Sequence, residues 1–576
     1  MAKPTETAAE ESGPRGEVAR GASVAASVAG EIPVAGEGAP GGGAATSGTT
    51  GEGEGVVDVI VIGGGINGSG IARDAVGRGL STVLLEKDDI GEGTSSRSGK
   101  YIHGGLRYLE YYEFRLVREA LIEREVVLGL VPHLAWPLRL ILPHSPAQRP
   151  RWLIRLGLFL YDHLGGRRKL PATQAVDLRT APEGEPVDDA FSHAFAYHDV
   201  WVDDARLTLL NALDAAERGA EVLPRTRFES AERVDDGAGG PWRVTWRDTL
   251  TDERTTRHAR ALINTAGPWV EQVIGSVAGT SSTKHVRLVK GSHVITQRWW
   301  QGAHGYVLQH TDKRLIFVNP LFEDLALIGT TDIPYEGRSE DVAIEDEEID
   351  YLLGILNRCF TTTLTRDDVI DTYSGVRPLF DDDSRKGASA VTRDYTFEID
   401  TGPQGRAVGG APLLSAFGGK LTTYRKLAEH GLEKLRDHFP EMGGAWTGGE
   451  PLPGGDMPEG DFERWFAAFG ERHEWLPEAL ARHYARCYGT RADALLEGAR
   501  SLEDLGRRFG DRLYEREARW LIEREWALTA EDILWRRTKH RLFMSEVERE
   551  AFGAWLEGLN IGAASRRAAD AERAGS

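Results

Sequence analysis

The hydrophobic pattern changes abruptly near residue 56. Before it, Met1 to Gly55 is built mainly from Ala, Gly, Glu, Ser and Thr, without a Phe, Trp, Tyr, His or Cys. Such a segment cannot bury enough apolar surface to offset the entropy of ordering it, so it reads as a disordered acidic tail. A transit peptide would avoid acids and favour Arg, whereas here Glu outnumbers Arg. Beyond it, Val57-Asp58-Val59-Ile60-Val61-Ile62 is the short β-branched apolar run expected of a buried parallel strand. Ser69 to Gly79 has helical spacing, with Ile71, Ala75 and Val76 on one side, and Ser81 to Leu85 reads as a second strand ending in Glu86-Lys87. Farther on, Arg260 to Gly267 is a strand that ends in small residues. A helix opens at Gly418 to Thr422 and runs to about Leu435. From about Gly449, Trp, Arg and Glu recur at helical spacing, with Trp465, Phe466, Phe469, Trp520 and Trp526 as expected core residues. The longest apolar stretch, Val126 to Leu138, contains His133 and two prolines and is closed by Arg139. It falls short of the roughly 20 residues a membrane span needs, and the start of the chain lacks the basic-then-apolar order of a secretory signal.

The first strand, helix and second strand frame Gly63-x-Gly65-x-x-Gly68, the dinucleotide fingerprint in its full context. Gly63 allows the tight turn, Gly65 lets the backbone approach a pyrophosphate, and Gly68 lets helix and strand pack closely. The pyrophosphate is expected on the amides at the helix N-terminus, near Asn67, where the dipole favours an anion. Glu86 is placed to accept from a ribose diol, which disfavours NADP and leaves FAD and NAD open. Thr94-Ser95-Ser96 follows in a hydroxyl-rich loop. His103-Gly104-Gly105-Leu106 then offers a glycine pair whose backbone can approach a flat ring; a plain tight turn explains that segment equally well.

Charge and cysteine content narrow the picture. The 576 residues carry 69 Lys+Arg against 89 Asp+Glu, a net charge of −20, which argues against a nucleic-acid partner. Two cysteines, Cys359 and Cys487, cannot build an iron–sulfur cluster, a zinc knuckle or a disulfide framework, so no metal is expected and a reducing compartment is.

The segment Asp58–Glu86, the Thr94-Ser95-Ser96 loop and His103-Gly104-Gly105-Leu106-Arg107-Tyr108-Leu109 resemble the respiratory, aerobic-type FAD-dependent glycerol-3-phosphate dehydrogenases. The resemblance continues in order through Trp201–Arg206, Asn264–Trp269, Lys290–His293, Ile328–Asp332, Tyr373–Leu379, Thr392–Tyr395, Phe417–Arg425 and Leu534–Lys539. It implies an α/β fold: an FAD-binding, Rossmann-like domain of the D-amino-acid-oxidase/glutathione-reductase type, a β-sheet substrate domain and an all-helical C-terminal domain. The expected division is a tail over 1–55, an oxidoreductase region over 56–445 and the helical domain over 446–576. Within the middle region the FAD domain is expected at about 56–130, 200–280 and 405–445, and the substrate domain at about 131–199 and 281–404. Noncovalent FAD would rest on Gly63, Gly65, Asn67, Gly68, Glu86, Thr94, Ser95, Ser96, His103, Gly104, Gly105, Leu106, Thr265, Ala266, Gly267, Gly418, Gly419, Lys420, Leu421 and Thr422.

The implied reaction oxidises sn-glycerol 3-phosphate to dihydroxyacetone phosphate by hydride transfer to FAD, with electrons passed to a membrane quinone. A phosphate dianion calls for guanidinium forks, for which Arg107, Arg377 and Arg393 are the candidates, with Lys420 near the ring and Tyr108 orienting the substrate. His103 and His293 are the candidate bases; an arginine-rich pocket stabilising the developing alkoxide is the alternative. Without a cysteine cluster, an external acceptor must take the electrons directly. Arg149 to Tyr161, with Arg167-Arg168-Lys169 after it, mixes Trp, Phe and Leu with Arg in the manner of an interfacial helix on an anionic leaflet. The expected location is the cytoplasm, peripheral to the inner face of the plasma membrane, with a homodimer left open. Competing readings are an oxygen-using glycerol-3-phosphate oxidase, an amine oxidase of the D-amino-acid oxidase type, and a flavin-bearing membrane sensor without turnover.

Overall fold

The computed structural model describes residues 55–145, 148–166, 170–234, 240–310, 312, 314–322, 324–329, 332–381, 394–402 and 410–559. The expected tail up to residue 54, the basic triplet Arg167-Arg168-Lys169 and the candidate Arg393 therefore lie outside the described residues.

An eight-stranded sheet holds the fingerprint. Val57–Ile62 pairs in parallel with Thr82–Leu85 on one side and Arg254–Asn264 on the other, and Leu413–Phe417 extends the parallel set. The unbroken apolar run of the first strand has a simple cause. Val59 and Val61 enter one hydrophobic core, shared with Ile71, Leu427 and Leu432, while Ile60 and Ile62 enter another around Trp242 and Trp246. Both faces are covered, so both registers of the alternation must be apolar. The first helix spans Ile66–Gly77 rather than starting at Ser69, because Gly65, in extended backbone, is already its N-terminal boundary.

A ten-stranded, mostly antiparallel sheet forms the second layer. Its longest pairing joins His285–Gln297 to Val369–Asp381. Here the alternation separates two environments. Val294 packs with Ile328, Leu352 and Leu356 under the helix Asp346–Cys359, whereas Ile295 faces the opposite side with Val307, Leu327 and Tyr373. The two sheets interleave more finely than the expected boundaries. Thr396–Asp400, expected in the substrate layer, joins the first sheet, and Tyr101–Ile102, expected in the FAD layer, joins the second.

The third layer is helical, with Phe462–Arg472, Glu478–Tyr488, Glu515–Glu525 and Glu546–Gly558 around a core of its own. Trp465 and Phe469 sit in that core, and Phe466 and Trp520 pack against it. Trp526 instead packs against the core of the first sheet. A π-helical turn, Asp532–Arg537, carries the helical layer's contacts to the cofactor side. Asp89, fully buried just past the second strand, accepts from Arg536 Nε at 2.6 Å and from Arg537 Nη1 and Nη2 at 2.6 and 2.8 Å. Lys539 donates to Asp203, and Arg206 forms a buried ion pair with Glu525. Within the helical layer, Glu517 accepts from His483 at 2.6 Å and from Tyr488 at 2.8 Å, with His540 at 3.2 Å on its other oxygen.

Removing one partner of such a site leaves the other charges buried and uncompensated. Asp89→Ala should therefore cost about 3–5 kcal/mol of stability, read as a lowered unfolding midpoint in denaturant. An unchanged midpoint would show that Asp89 does not hold the layers together.

Candidate active site

The two sheets meet around a cavity of about 1240 Å³. At its nucleotide end the fingerprint glycines are required by contact. A Cβ on Gly68 would lie 1.9 Å from the Gly63 carbonyl oxygen, so the helix packs on the strand end only without a side chain there. Gly63 itself has φ +104°, in the left-handed region that favours glycine. Glu86 closes the second strand and accepts from the Gly64 amide at 2.7 Å and the Asp88 amide at 2.9 Å. Burial outweighs these two bonds and lifts its carboxyl to about 7.

Asn67 donates to the Gly418 carbonyl at 3.4 Å, while its buried Oδ1 has no hydrogen-bond partner. Thr265 donates to the Ile62 carbonyl at 2.9 Å, and Thr94 to Val376 at 2.7 Å. Ser95 accepts from the Ile66 amide at 2.9 Å. Thr422 ties the second glycine loop to the late helix, its hydroxyl lying 3.2 Å from the His103 amide and 3.3 Å from the His103 carbonyl. Gly418 and Gly419 both have positive φ, and the helix they precede runs over Tyr424–Lys434 after a tight turn at Leu421–Thr423.

Most expected cofactor residues line this one cavity: Gly63, Gly65, Asn67, Glu86, Thr94, Ser95, His103, Gly105, Leu106, Thr265, Ala266, Gly267 and Gly418 to Thr422. Three do not. Gly68 acts through packing. The Ser96 hydroxyl instead donates back to the Glu92 and Gly93 carbonyls, at 3.4 and 3.5 Å. Gly104 is pressed against Leu121 and Tyr161, where a Cβ would fall 2.3 Å from Leu121 Cδ2.

Arg107, Tyr108, His293, Arg377 and Lys420 also converge on the cavity. Lys420 Nζ lies 3.9 Å from the centre of the Tyr108 ring, and Arg377 is paired with Asp332. His293 is 3 % exposed and its Nδ1 has no hydrogen-bond partner. Burial, reinforced by the charges of Arg377 and Lys100, lowers its pKa to about 3, so the imidazole is neutral at ordinary pH. Asp394, beside Arg393, is bound by Arg115.

Sequence reasoning passed over several lining residues. Tyr101 is hydrogen-bonded to Asn319, and Arg97 reaches the Ser374 carbonyl at 3.2 Å. Asp332 stood inside a motif already singled out, but nothing local marks Asn319, which the register of the second sheet delivers.

The residues fit a dinucleotide: a glycine cradle that a Cβ would fill, a half-buried acid at the second strand, and a cavity with room for a long ligand. Residues 58–425 match the family described as FAD dependent oxidoreductase. The chain belongs to the FAD-dependent oxidoreductase family. Residues 445–557 match the C-terminal domain of alpha-glycerophosphate oxidase, so the α/β oxidoreductase fold with a helical C-terminal layer is the one expected. Among relatives, D-erythritol 1-phosphate dehydrogenase of Brucella abortus is 56 % identical over 504 residues, 88 % of this chain and 98 % of that protein. The aerobic glycerol-3-phosphate dehydrogenase of Escherichia coli is 48 % identical over 499 residues, 87 % of this chain and 97 % of that one. The structure of glycerol-3-phosphate dehydrogenase from Bacillus halodurans with FAD superposes with a TM-score of 0.66 at 26 % identity, covering 87 % of this chain and 94 % of that one.

In an FAD-dependent oxidoreductase of this geometry, a ribose contact at Glu86 would make cofactor affinity pH-dependent. Ribose hydroxyls donate to the ionised carboxylate, whereas a protonated carboxyl has lost part of its acceptor capacity. Affinity of the apoprotein for FAD should rise as pH climbs to about 7 and level off above it, changing at most about tenfold per pH unit on the acid side. FAD fluorescence quenching between about pH 5.5 and pH 8 measures this, and Glu86→Gln should flatten the curve. A wild-type affinity that does not vary over that range would remove Glu86 from the cofactor contacts.

Proposed function

We propose that this chain oxidises the secondary alcohol of sn-glycerol 3-phosphate to dihydroxyacetone phosphate, with a membrane quinone as the final acceptor. The observation that carries the reading is the convergence of Arg107, Arg377 and Lys420 with the neutral His293 on one cavity. FAD, when bound, supplies the acceptor for the hydride that leaves the carbinol carbon. The chain's own residues do the rest. Arg107 and Arg377 hold the phosphate dianion, with Arg393 as a further candidate, because planar guanidinium forks fix its orientation as well as its charge. Lys420, backed by the Tyr108 ring, adds positive charge beside the reacting carbon. His293 takes the hydroxyl proton; its low pKa keeps the acceptor nitrogen available. His103 is tied through its backbone to Thr422 and serves as a wall of the site.

A second reading is D-erythritol 1-phosphate, favoured by the 56 % identity to an enzyme named for that substrate. The two polyol phosphates present the same phosphate and secondary alcohol and differ in chain length, so the same residues would serve either. The holoenzyme under argon, mixed with each compound in turn, separates them: the preferred substrate should bleach the flavin band with the higher second-order rate constant of reduction. Glycerol and D-amino acids should leave it unbleached. Bleaching by a D-amino acid instead would overturn the phosphate pocket, and hydrogen peroxide formed in step with turnover in air would favour oxygen as acceptor.

The acceptor side is proposed from the helix Arg151–Leu164. Trp152, Leu156 and Phe159 are 67, 47 and 54 % exposed, on one outer face at i, i+4 and i+7 spacing. Tyr112 and Phe114 are also exposed and line the cavity together with Leu153, Leu156 and Leu160. Arg149, Arg151 and Arg155 supply the charge an anionic leaflet attracts. Among the described residues no helix is long and apolar enough to cross a membrane, so this face would lie on the inner leaflet of the plasma membrane. Anionic vesicles should sediment the protein, and the double variant Trp152→Glu, Leu156→Glu should stay in the supernatant. Equal sedimentation of both would rule this helix out as the membrane face.

A further inference from the structure

The helical layer touches the active site through aromatic rings. Trp535, in the turn Asp532–Arg537, stands edge-on to Tyr373 with 5.7 Å between ring centres. Tyr373 in turn lies flat on His293, 4.7 Å between centres and 18° between planes. That stack is set by register, since His293 and Tyr373 are directly opposed on neighbouring antiparallel strands and project from the same face. The Tyr373 hydroxyl is anchored by donating to the Ser98 carbonyl at 2.7 Å. The Arg541 guanidinium sits 4.0 Å from the Trp535 ring and also donates to Asp371 at 2.8 Å, two residues before Tyr373 on the same strand. From the neighbouring strand, bare backbone at Gly329 makes room for the imidazole, because a Cβ there would lie 2.0 Å from His293 Cδ2.

A catalytic imidazole is usually aimed by a hydrogen bond to its second nitrogen. His293 Nδ1 has no such partner, so its orientation must come from packing. We propose that Tyr373 is a positioning residue for His293 and that Trp535 braces it from the helical layer, so the helical layer aids proton transfer without touching substrate. The inference rests on the reading of His293 as the base. The charged groups facing the ring are Lys100, held by Asp204 at 2.6 Å, and Arg377, held by Asp332. Both are cations that disfavour imidazolium, and neither is removed by changing Tyr373. Loss of the stacked ring would admit water, loosen the imidazole and raise its pKa.

The test is anaerobic stopped-flow reduction of the flavin by glycerol 3-phosphate as a function of pH. Tyr373→Leu should slow reduction about tenfold with the apparent Kd for substrate changed less than about twofold, and should move the acid limb upward by about one pH unit. Trp535→Leu should act in the same direction by about threefold, and it carries the test alone if Tyr373→Leu does not fold. Tyr373→Phe, which keeps the ring, should restore both rate and pH profile. A wild-type rate and acid limb in both leucine variants, or a loss confined to the apparent Kd, would overturn the positioning role. His293→Asn separates the two ideas. A loss there of about a hundredfold with silent leucine variants overturns positioning alone; an unchanged rate overturns the base and the positioning role with it.

Discussion

Asp89 is where the helical layer is held to the first sheet. Its carboxylate is fully buried and engages two consecutive arginines, Arg536 and Arg537, from a turn more than four hundred residues away in sequence. A buried charge cluster of this kind contributes little net stability compared with apolar packing, but it is unforgiving of any missing partner. It therefore acts as a constraint on arrangement. Asp203 and Glu525 extend it through Lys539 and Arg206, so the helical layer is locked to the loop after the second strand and to the helix Asp204–Glu217. Because that loop leads directly into Thr94-Ser95-Ser96, the lock also fixes the floor of the cofactor cavity.

On this frame the two sheets divide the labour. The parallel sheet ends at glycines and an acid, features suited to the flat, extended and anionic parts of a dinucleotide. The antiparallel sheet brings His293 and Arg377 to the same cavity from strands whose opposite faces pack under a helix. Cations gather at this cavity, and burial, reinforced by the charges of Arg377 and Lys100, keeps the nearby imidazole neutral.

The fingerprint was legible in the sequence because its information is local. Three glycines, an apolar run and a terminal acid encode backbone conformation within thirty residues. The convergence of Arg107, His293, Arg377 and Lys420 followed from motif resemblance, and their placement on one cavity agrees with it. Roles that depend on distant partners were not legible. Gly104 sits inside a cofactor-like motif yet is pressed against Leu121 and Tyr161. The basic run Trp535–Lys539 reads in sequence as structural, at a domain or dimer contact, but its exact role was not legible, since its counter-ions Asp89 and Asp203 lie 336 to 448 residues away. Arg149–Tyr161 showed its mixed character in sequence, but which residues face outward required the fold.

The same long separations bear on how the protein is made. Val57–Ile62 cannot complete its sheet until Arg254–Asn264 has emerged, and Asn67 meets Gly418 across 351 positions. The glycine loops that enclose the cavity come from opposite ends of the oxidoreductase region, and the lock on Asp89 arrives only with residues 536 and 537. A ribosome-bound fragment thus exposes an open half-site and unpaired strand edges, a state of high contact order and aggregation risk. The cavity that would take the flavin is complete only once Gly418 to Thr422 have emerged, so flavin insertion cannot precede that stretch.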